Sequence, residues 1–409
     1  MAEIEIPSYF LCPITLDIMR DPVTLSTGIT YERDSIEKWI FTQKNNSCPA
    51  TNQQLFDNLE LTPNTTLRRL IQSWCTLHST HGVERLPTPK APVTRPQLLK
   101  LLHDASRPHL LSHSLQTLKS IASQNQTNKR CMESAGAADF LAALIVGKFP
   151  GPSSSDEELS DYRKTCDDAL SIIYSLQLSE SGLKTLNNAE FIETLTLIMQ
   201  QGSYESRAYA VMLLKSMLEV ADPSLLIGLK AEFFSEIAHI LSEDNSSKGS
   251  KSALKLLICA CPWGRNRIKA VEAGVVAVLI DLLLDSTEKR ACEMMLTVLD
   301  QLCQCADGRA EVLRHAAGMA VVSKKILRVS QAASERAVRI LHSISRFSAT
   351  PGVVAEMLQI GVVAKMCLIL QVDCGSKTKE RARDILKTHA KAWRHSTCIP
   401  PNLISSYPS

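Results

Sequence analysis

The fold of the first 79 residues is decided by the run Ile6-Pro7-Ser8-Tyr9-Phe10-Leu11-Cys12-Pro13-Ile14, which opens a loop. The next stretch predicts a turn and a short hairpin, Asp21-Pro22-Val23-Thr24-Leu25-Ser26-Thr27-Gly28. A second loop is predicted at Ser47-Cys48-Pro49-Ala50-Thr51, and one helix is expected between the two loops. The sequence therefore begins with a small α+β domain.

Two loops around a helix are typical of cross-braced zinc domains, but most zinc ligands are missing. Two tetrahedral zinc sites need about eight Cys or His ligands. The first 79 residues contain only Cys12, Cys48, Cys75 and His78. We therefore expect no metal and no cofactor, and we expect hydrogen bonds and charge pairs to hold the loops. The candidates are Asp17, Arg20, Asp21, Ser26, Arg33, Asp34 and Glu37.

Residues 5–79 resemble the U-box, the zinc-free relative of the RING finger that occurs in ubiquitin ligases. Six segments carry the resemblance: Cys12-Pro13-Ile14, Asp21-Pro22-Val23, Gly28-Ile29-Thr30-Tyr31-Glu32-Arg33, Ile36-Glu37-Lys38-Trp39-Ile40, Cys48-Pro49 and Leu61-Thr62-Pro63-Asn64-Thr65-Thr66-Leu67-Arg68-Arg69-Leu70-Ile71. The resemblance implies that the chain binds a ubiquitin-conjugating enzyme carrying ubiquitin. It also implies that the chain forms no covalent intermediate, so no catalytic residue is expected.

The family's interface, carried over to this chain, places three residues in a shallow apolar docking surface. These are Ile14 in the first loop, Trp39 on the central helix and Pro49 in the second loop. For Trp39 the alternative interpretation is core packing, and Pro49 can also rigidify its loop. Leu16 is interpreted as a core residue of the first loop, together with Cys12 and Met19.

One position departs from the family. Many U-box and RING ligases carry Arg or Lys just after the second loop, where it contacts both ubiquitin and the conjugating enzyme. This chain has Asn52, followed by Gln53. A short amide donates hydrogen bonds but has less reach and no charge. Asn52 is therefore the candidate for activating the thioester, with a lower efficiency expected.

The composition describes an ordinary globular protein and excludes several functions. The 409 residues are 45% hydrophobic and 21% charged, and the net charge of +3 argues against a nucleic-acid-coating protein. The thirteen cysteines form no Cys-x-x-Cys pair, which favours a reducing compartment. No signal peptide is recognisable, and no transmembrane segment is expected because the longest apolar run, Ala273 to Leu284, is too short. We expect a cytoplasmic protein, with the nucleus or a membrane surface as alternatives; homo-oligomerisation stays open.

A proline-containing linker is predicted at residues 80–96, because three prolines stand between Arg85 and Pro92. From Gln97 onward apolar residues recur at helical spacing. The glycines of three similar segments lie 44 residues (318 − 274) and 43 residues (361 − 318) apart, and Gly136 begins the series. This period predicts about six to seven armadillo-type units over residues 97–395, followed by a tail at 396–409.

Each unit is expected to end in a long amphipathic helix, after a glycine that lets two shorter helices meet at a sharp angle. The predicted long helices are Leu115 to Ala122, Thr165 to Leu178, Ser206 to Val220, Lys251 to Cys261, Ala291 to Cys303, Ala333 to Phe347 and Lys379 to Trp393. The fold class is therefore mostly α: a small α+β zinc-free RING-like U-box followed by an all-α armadillo-repeat solenoid.

The predicted groove of the repeats is expected to hold a protein substrate. Armadillo importins bind basic peptides with Trp and Asn, whereas the equivalent positions here are Ser120, Ser175, Ser216, Cys259, Gln301 and Ser343. A nuclear-import receptor is therefore not expected. Two basic clusters, at Arg265 to Lys269 and at Lys377 to Lys391, fit either a groove for acidic or phosphorylated partners and phosphoinositides or a solvated surface.

The order of U-box, proline linker and repeats resembles the plant U-box/armadillo ubiquitin ligases over essentially the whole chain. The resemblance implies a ubiquitin-protein ligase that regulates plant defence or stress signalling. Two alternatives stay open from the residues. The first is a noncatalytic armadillo adaptor, and the second is a repeat protein that binds nucleic acid or membrane.

Overall fold

The structure, a computed structural model, describes residues 6–43, 45–55, 61–79, 93–147, 156–243 and 248–394. The chain forms two compact units. The first consists of Met1–Ala137 and Ser175–Gln177, and the second consists of Ala138–Tyr174 and Leu178–Ser409. Part of the predicted linker, residues 80–92, and the predicted tail, 396–409, lie outside the described residues. The boundaries assigned from the sequence therefore stay predictions.

The first unit begins with a three-stranded antiparallel sheet and one interrupted helix. The strand order is β2-β1-β3, and Val23 pairs with Tyr31 on one side and with Pro63 on the other. Gly28 has φ of +80°, which the hairpin turn between the first two strands requires. The elements are a 3₁₀ turn Ser8–Phe10, β1 Pro22–Thr24, β2 Thr30–Glu32, α1 Arg33–Glu37, a π-helical segment Lys38–Thr42, β3 Thr62–Pro63 and α2 Thr65–Leu77.

Three helices complete the described part of the first unit: α3 Arg95–Ala105, α4 Pro108–Gln124 and α5 Gln126–Ser134. Thr94 and Gln97 form a capping box at the start of α3, and Asn125 accepts a hydrogen bond from the Asn128 amide at the start of α5. The three helices pack on one another. They correspond to the first predicted repeat.

The second unit is an array of helices in which corresponding helices of successive repeats pack together. Successive long helices contact one another in the order α10, α13, α16, α19 and α22. A second row of successive contacts is formed by α9, α12, α15 and α18. The helices are α6 Ala137–Gly147, α7 Asp156–Leu176, α8 Glu180–Leu186, α9 Ala189–Gln201, α10 Tyr204–Leu218, α11 Pro223–Ile227, α12 Ala231–Glu243, α13 Lys248–Ala260, α14 Gly264–Glu272, α15 Val275–Asp285, α16 Lys289–Leu302, α17 Ala306–Arg314, α18 Gly318–Lys325, α19 Gln331–Phe347, α20 Pro351–Gln359, α21 Val362–Gln371, α22 Ser376–Thr388 and α23 Ala390–Trp393.

The predicted mostly α fold, with a small α+β domain followed by armadillo-type repeats, is confirmed. The prediction of one helix from Lys379 to Trp393 is wrong, because α22 ends at Thr388 and α23 begins at Ala390. His389 interrupts the helix with φ of −116°, and its Nε2 hydrogen-bonds the Ser345 carbonyl at 3.0 Å. That contact to the preceding long helix replaces the continuation of α22.

The glycines at the helix joins have two different structural roles. Gly136, Gly274 and Gly361 have φ between 75° and 79°, as the predicted sharp joins require. Gly318 is helical, but a Cβ at this position would clash with the carbonyl of Val312. Gly318 therefore permits two backbone segments to approach each other closely.

Among the described residues, no single helix has both the length and the apolar composition to cross a membrane. The two adjacent helices α20 and α21 meet these criteria only when taken together, and they bend by 64° at the break between them.

Candidate functional site

The two loops of the first unit share one backbone geometry. In the first, Cys12 N donates to Asp17 O at 2.9 Å and Leu16 N donates to Cys12 O at 2.8 Å. In the second, Cys48 N donates to Gln53 O and Asn52 N donates to Cys48 O, both at 2.8 Å. Each loop is closed by one antiparallel bridge, Leu11 with Ile18 and Ser47 with Gln54. The loops are therefore two copies of one hydrogen-bonded turn that begins at a cysteine.

Each of these cysteines ties its loop to the hairpin through sulfur. Glu32 N donates to Cys12 Sγ at 3.3 Å. Cys48 Sγ hydrogen-bonds Tyr31 Oη at 3.0 Å and Thr27 Oγ1 at 3.4 Å, and Ala50 N donates to the same Tyr31 oxygen at 3.1 Å. In the described part of the chain, no three His, Cys, Asp or Glu side chains are grouped so that they could hold a metal ion. Hydrogen bonds to sulfur thus attach both loops to the hairpin.

These contacts shift the acid–base properties of the loop. Burial raises the pKa of the Cys48 thiol, but hydrogen bonds from Thr27, Thr51 and Tyr31 outweigh it and lower the pKa to about 6. Burial also raises the pKa of the Tyr31 hydroxyl above its ordinary value, and its hydrogen bond to Cys48 acts in the same direction. Tyr31 and Cys48 thus share a buried hydrogen bond in which either group can be the donor.

A network of charges joins the hairpin to the helices. Arg33 Nε lies 2.6 Å from Asp21, its Nη1 lies 3.8 Å from Glu37, and Arg68 Nη1 lies 3.8 Å from Asp21. Three of the seven sequence candidates, Asp21, Arg33 and Glu37, are confirmed as members of ion pairs. Arg68 was not predicted, because it lies 35 residues beyond Arg33 (68 − 33) and nothing in its local sequence indicates a partner.

The carboxylate of Glu32 was also missed by the sequence analysis. It accepts the backbone amides of Arg20 at 2.6 Å and Asp21 at 3.1 Å, which fixes the chain before β1. Burial raises the pKa of Glu32, although both amide donors act in the opposite direction. Of the remaining candidates, Asp17, Ser26 and Asp34 are exposed.

The three predicted docking residues are each half-buried. Ile14 and Trp39 pack against the same core cluster of the first unit. Trp39 Nε1 donates to the Ser47 carbonyl at 2.9 Å, which attaches the helix to the second loop two residues before Pro49. Trp39 therefore has both a structural contact and a partly exposed face. The docking roles of Ile14, Trp39 and Pro49 stay predictions.

The assignment of Leu16 to the core is wrong. Cys12 and Met19 are buried as expected, but the Leu16 side chain is 71% exposed and its φ is +61°. The tight turn forces this residue into a left-handed conformation, so its side chain leaves the core. A large apolar side chain held in solvent beside Ile14 is an additional candidate for the docking surface. One signal in the sequence could have indicated this turn: Leu16 lies four residues after Cys12, just as Asn52 lies four residues after Cys48.

Asn52 occupies the position in the second loop that Leu16 occupies in the first. It is exposed, and its φ is +56°. Asparagine is one of the few residues other than glycine that adopts this conformation readily. The residue therefore has a structural reason to be asparagine, apart from the predicted contact with ubiquitin, which stays a prediction.

Comparison with known proteins assigns both parts of the chain. Residues 6–80 match the family model of the U-box domain, and residues 97–409 match that of the plant U-box protein ARM repeat region. The chain is 53% identical over 433 residues to the E3 ubiquitin-protein ligase PUB22 of Arabidopsis thaliana, covering 100% of this chain and 99% of that protein. It is 54% identical over 414 residues to the E3 ubiquitin-protein ligase PUB23 of the same plant, covering 99% and 98%.

Two solved structures were also compared with the chain. An engineered protein gives a TM-score of 0.45 at 17% identity, covering 73% of this chain and 84% of that one. The designed armadillo repeat protein YIII(Dq)4CqI gives a TM-score of 0.36 at 15% identity, covering 71% and 99%.

The Tyr31 hydroxyl should stabilise the U-box, because it bridges Cys48 sulfur and the Ala50 amide. We expect Tyr31→Phe to lower the free energy of unfolding by about 1 to 3 kcal/mol, since the buried Cys48 sulfur and the Ala50 amide lose their partner. Thermal and urea unfolding of the full chain measures this. Tyr9→Phe is the matched control, because Tyr9 is exposed. Equal unfolding curves for the two variants would contradict the bridging role.

Proposed function

The chain belongs to the plant U-box protein family with an ARM repeat region and is a U-box-type ubiquitin-protein ligase. We propose that the following described residues promote the transfer of ubiquitin from the conjugating enzyme to a substrate lysine. The two matched loops hold the ubiquitin-conjugating enzyme through Ile14, Trp39 and Pro49, with Leu16 as a fourth contact. The repeats hold the protein substrate. During transfer, no residue of this chain forms a covalent intermediate with ubiquitin.

The chemistry of transfer needs orientation more than it needs a catalytic side chain. The lysine amine of the substrate attacks the thioester carbonyl, an amide bond forms, and the cysteine thiolate of the conjugating enzyme leaves. A ligase accelerates this step by holding the two reactants together and by restricting the motion of the thioester. The observation that carries the proposal is the exposed apolar Leu16, held rigidly by the turn that Asn52 repeats in the second loop.

Leu16→Ala should strongly reduce the discharge of a ubiquitin-loaded conjugating enzyme onto free lysine. Truncating a central apolar contact of a small interface commonly costs about 2 kcal/mol or more, which lowers binding roughly thirtyfold. The fold should be retained, because the Leu16 side chain does not reach the core. Leu77→Ala is the matched control, since Leu77 is 73% exposed on α2, outside both loops. Equal rates for the two variants would remove Leu16 from the docking surface.

The same assay decides between a ligase and a noncatalytic armadillo adaptor. Purified protein that binds a loaded conjugating enzyme without accelerating its discharge onto lysine would be an adaptor. Ile14→Ala tests the predicted dock in the first loop, with circular dichroism as the check on folding. Trp39→Ala also removes the hydrogen bond to Ser47, so Trp39→Phe is the better test of that position.

Asn52→Arg should accelerate discharge if position 52 faces the thioester. A hydrogen bond to a charged group contributes about 1.5 to 3 kcal/mol, against about 0.5 to 1.5 for a neutral one. A gain of about 1.4 kcal/mol in the transition state corresponds to a tenfold faster single-turnover rate. Asn52→Gly is the control, because glycine keeps the left-handed conformation and removes the amide. Identical rates for wild type, Asn52→Gly and Asn52→Arg would make Asn52 a loop residue only.

For the substrate, we infer that a surface cavity of about 830 Å³ in the second unit contributes to binding. It is lined by α7, α10, α12 and α13, and Tyr174 and Tyr204 on its wall are exposed. Exposed tyrosines supply large contact area with a polar tip, as protein-binding surfaces commonly do. The groove positions compared above with the importins are unsuited to this role, because several of them bond to the preceding repeat.

The double substitution Tyr174→Ala and Tyr204→Ala should reduce ubiquitination of cellular substrates while leaving discharge onto free lysine unchanged. Quantitative mass spectrometry of ubiquitin-remnant peptides in plant cells measures the first, and the purified assay measures the second. Phe347→Ala is the control, since Phe347 is also an exposed aromatic residue of the repeats. An unchanged set of ubiquitinated proteins would contradict a role for the cavity.

A role in plant defence or stress signalling is supported by the family resemblance. Cytoplasmic location is supported by the free cysteines of the described residues. Imaging of a fluorescent fusion, and elicitor responses of plants lacking the protein, test these two proposals.

A further inference from the structure

The U-box helix carries a buried carboxylate that pairs with Arg33 in the U-box and accepts its hydrogen bonds from the first repeat. Glu37 ends α1, and its side chain is only 2% exposed. Gln126 N donates to Glu37 Oε2 at 3.1 Å, and Thr127 Oγ1 donates to Glu37 Oε1. Both donors belong to the first turn of α5, whose N-terminus favours a negative charge. The burial of this carboxylate therefore depends on the repeat.

A second contact lies one turn further along the same two helices. The Arg130 guanidinium carbon stands 3.2 Å from the centre of the Phe41 ring. Phe41 follows Glu37 by four residues, and Arg130 follows Gln126 by four. Residues four apart lie on one face of a helix, so the two contacts form a single strip along α1 with its π-helical extension and along α5. A cation over an aromatic ring adds about 0.5 to 2 kcal/mol to such a contact.

This strip faces away from the predicted docking residue on the same helix. Trp39 follows Glu37 by two residues, where α1 passes into the π-helical segment, and side chains two residues apart do not share a helix face. Its indole donates to Ser47 in the second loop, whereas Glu37 is bonded to α5. The helix thus has the docking side chain on one flank and the repeat on the other, so the repeat contact leaves the docking flank free.

The second unit contains the same arrangement between two of its own repeats. Asp167 on α7 accepts hydrogen bonds from Ser203 Oγ at 2.8 Å and from Ser206 Oγ, at the start of α10. There a carboxylate of one repeat binds the first turn of a helix in the next. Glu37 likewise binds the first turn of a helix, that of α5. The U-box helix thus covers the start of α5, and the ends of repeat arrays commonly need such a cover.

We propose that Glu37, Phe41, Thr127 and Arg130 form a rigid joint that fixes the docking helix of the U-box to the first repeat. These are positioning residues, because they determine which lysines the bound thioester reaches and do not touch the thioester themselves. The effect on transfer rests on the proposed function; the joint itself rests only on the contacts within the first unit.

Hydrogen exchange in the full-length protein tests the joint directly. In Thr127→Val, the amides of Ile36 to Thr42 should exchange roughly tenfold faster, because the Glu37 carboxylate loses a charged hydrogen bond. Thr127→Ser keeps the hydroxyl and should behave as wild type. Thr117→Val is the matched control, since the Thr117 hydroxyl bonds only to His113 O in its own helix. Unchanged exchange of Ile36 to Thr42 in Thr127→Val would overturn the joint.

Ubiquitin transfer separates positioning from stability. Thr127→Val and Arg130→Ala should discharge a loaded conjugating enzyme onto free lysine within twofold of the wild-type rate, because the docking flank is untouched. Mass spectrometry maps which of the protein's own lysines carry ubiquitin. This distribution should change in both variants, and Thr127→Ser should show the wild-type distribution. Arg314→Ala, at an exposed arginine of the repeats, should leave it unchanged.

The possible failures are distinguishable. Absence of lysine discharge by the wild-type protein would refute the proposed function, while the exchange experiment would still report on the joint. Normal discharge together with an unaltered acceptor pattern in Thr127→Val would refute positioning, even if exchange increased.

Discussion

The buried guanidinium of Arg33 connects the parts of the first unit. It pairs with Asp21, just before β1, and lies near Glu37 at the end of α1. Asp21 also faces Arg68 on α2, and Glu37 continues the chain of contacts to Thr127 on α5. Removing one partner of a buried ion pair costs about 3 to 5 kcal/mol. The hairpin, both U-box helices and the first repeat are therefore coupled through one cation.

This network helps to hold the two loops, and the described residues contain no group of three His, Cys, Asp or Glu side chains that could bind a metal ion. A structural zinc site contributes about 10 to 16 kcal/mol in zinc-finger peptides. Individual charged hydrogen bonds contribute about 1.5 to 3 kcal/mol, so Arg33, Asp21 and Glu32 together replace only part of it. The rest must come from apolar packing. The loop cysteines are fully buried in that core, and hydrogen bonds to their sulfurs hold the loops to the hairpin.

Local patterns in the sequence predicted the fold well, because helices and tight joins are encoded over a few residues. The period of 43 to 44 residues and the glycines at the joins identified the repeats. The site was predicted less completely. Leu16 was placed in the core because it is apolar, but backbone closure at Cys12 turns it outward. The partner of Glu37 lies 90 residues away (127 − 37), and no local pattern marks such a contact.

The repeat positions that importins use for peptides have another use in this chain. Cys259 Sγ donates to Leu218 O at 3.2 Å, Gln301 Nε2 donates to Ile258 O at 3.2 Å, and Ser343 Oγ donates to Cys303 O at 2.9 Å. Each bond joins a long helix to the end of the preceding one. A donor that satisfies a carbonyl of its own chain is not free to bind the backbone of a peptide. The proposed substrate recognition therefore uses other side chains of the same helices, such as the exposed Tyr174 of α7 and Tyr204 of α10.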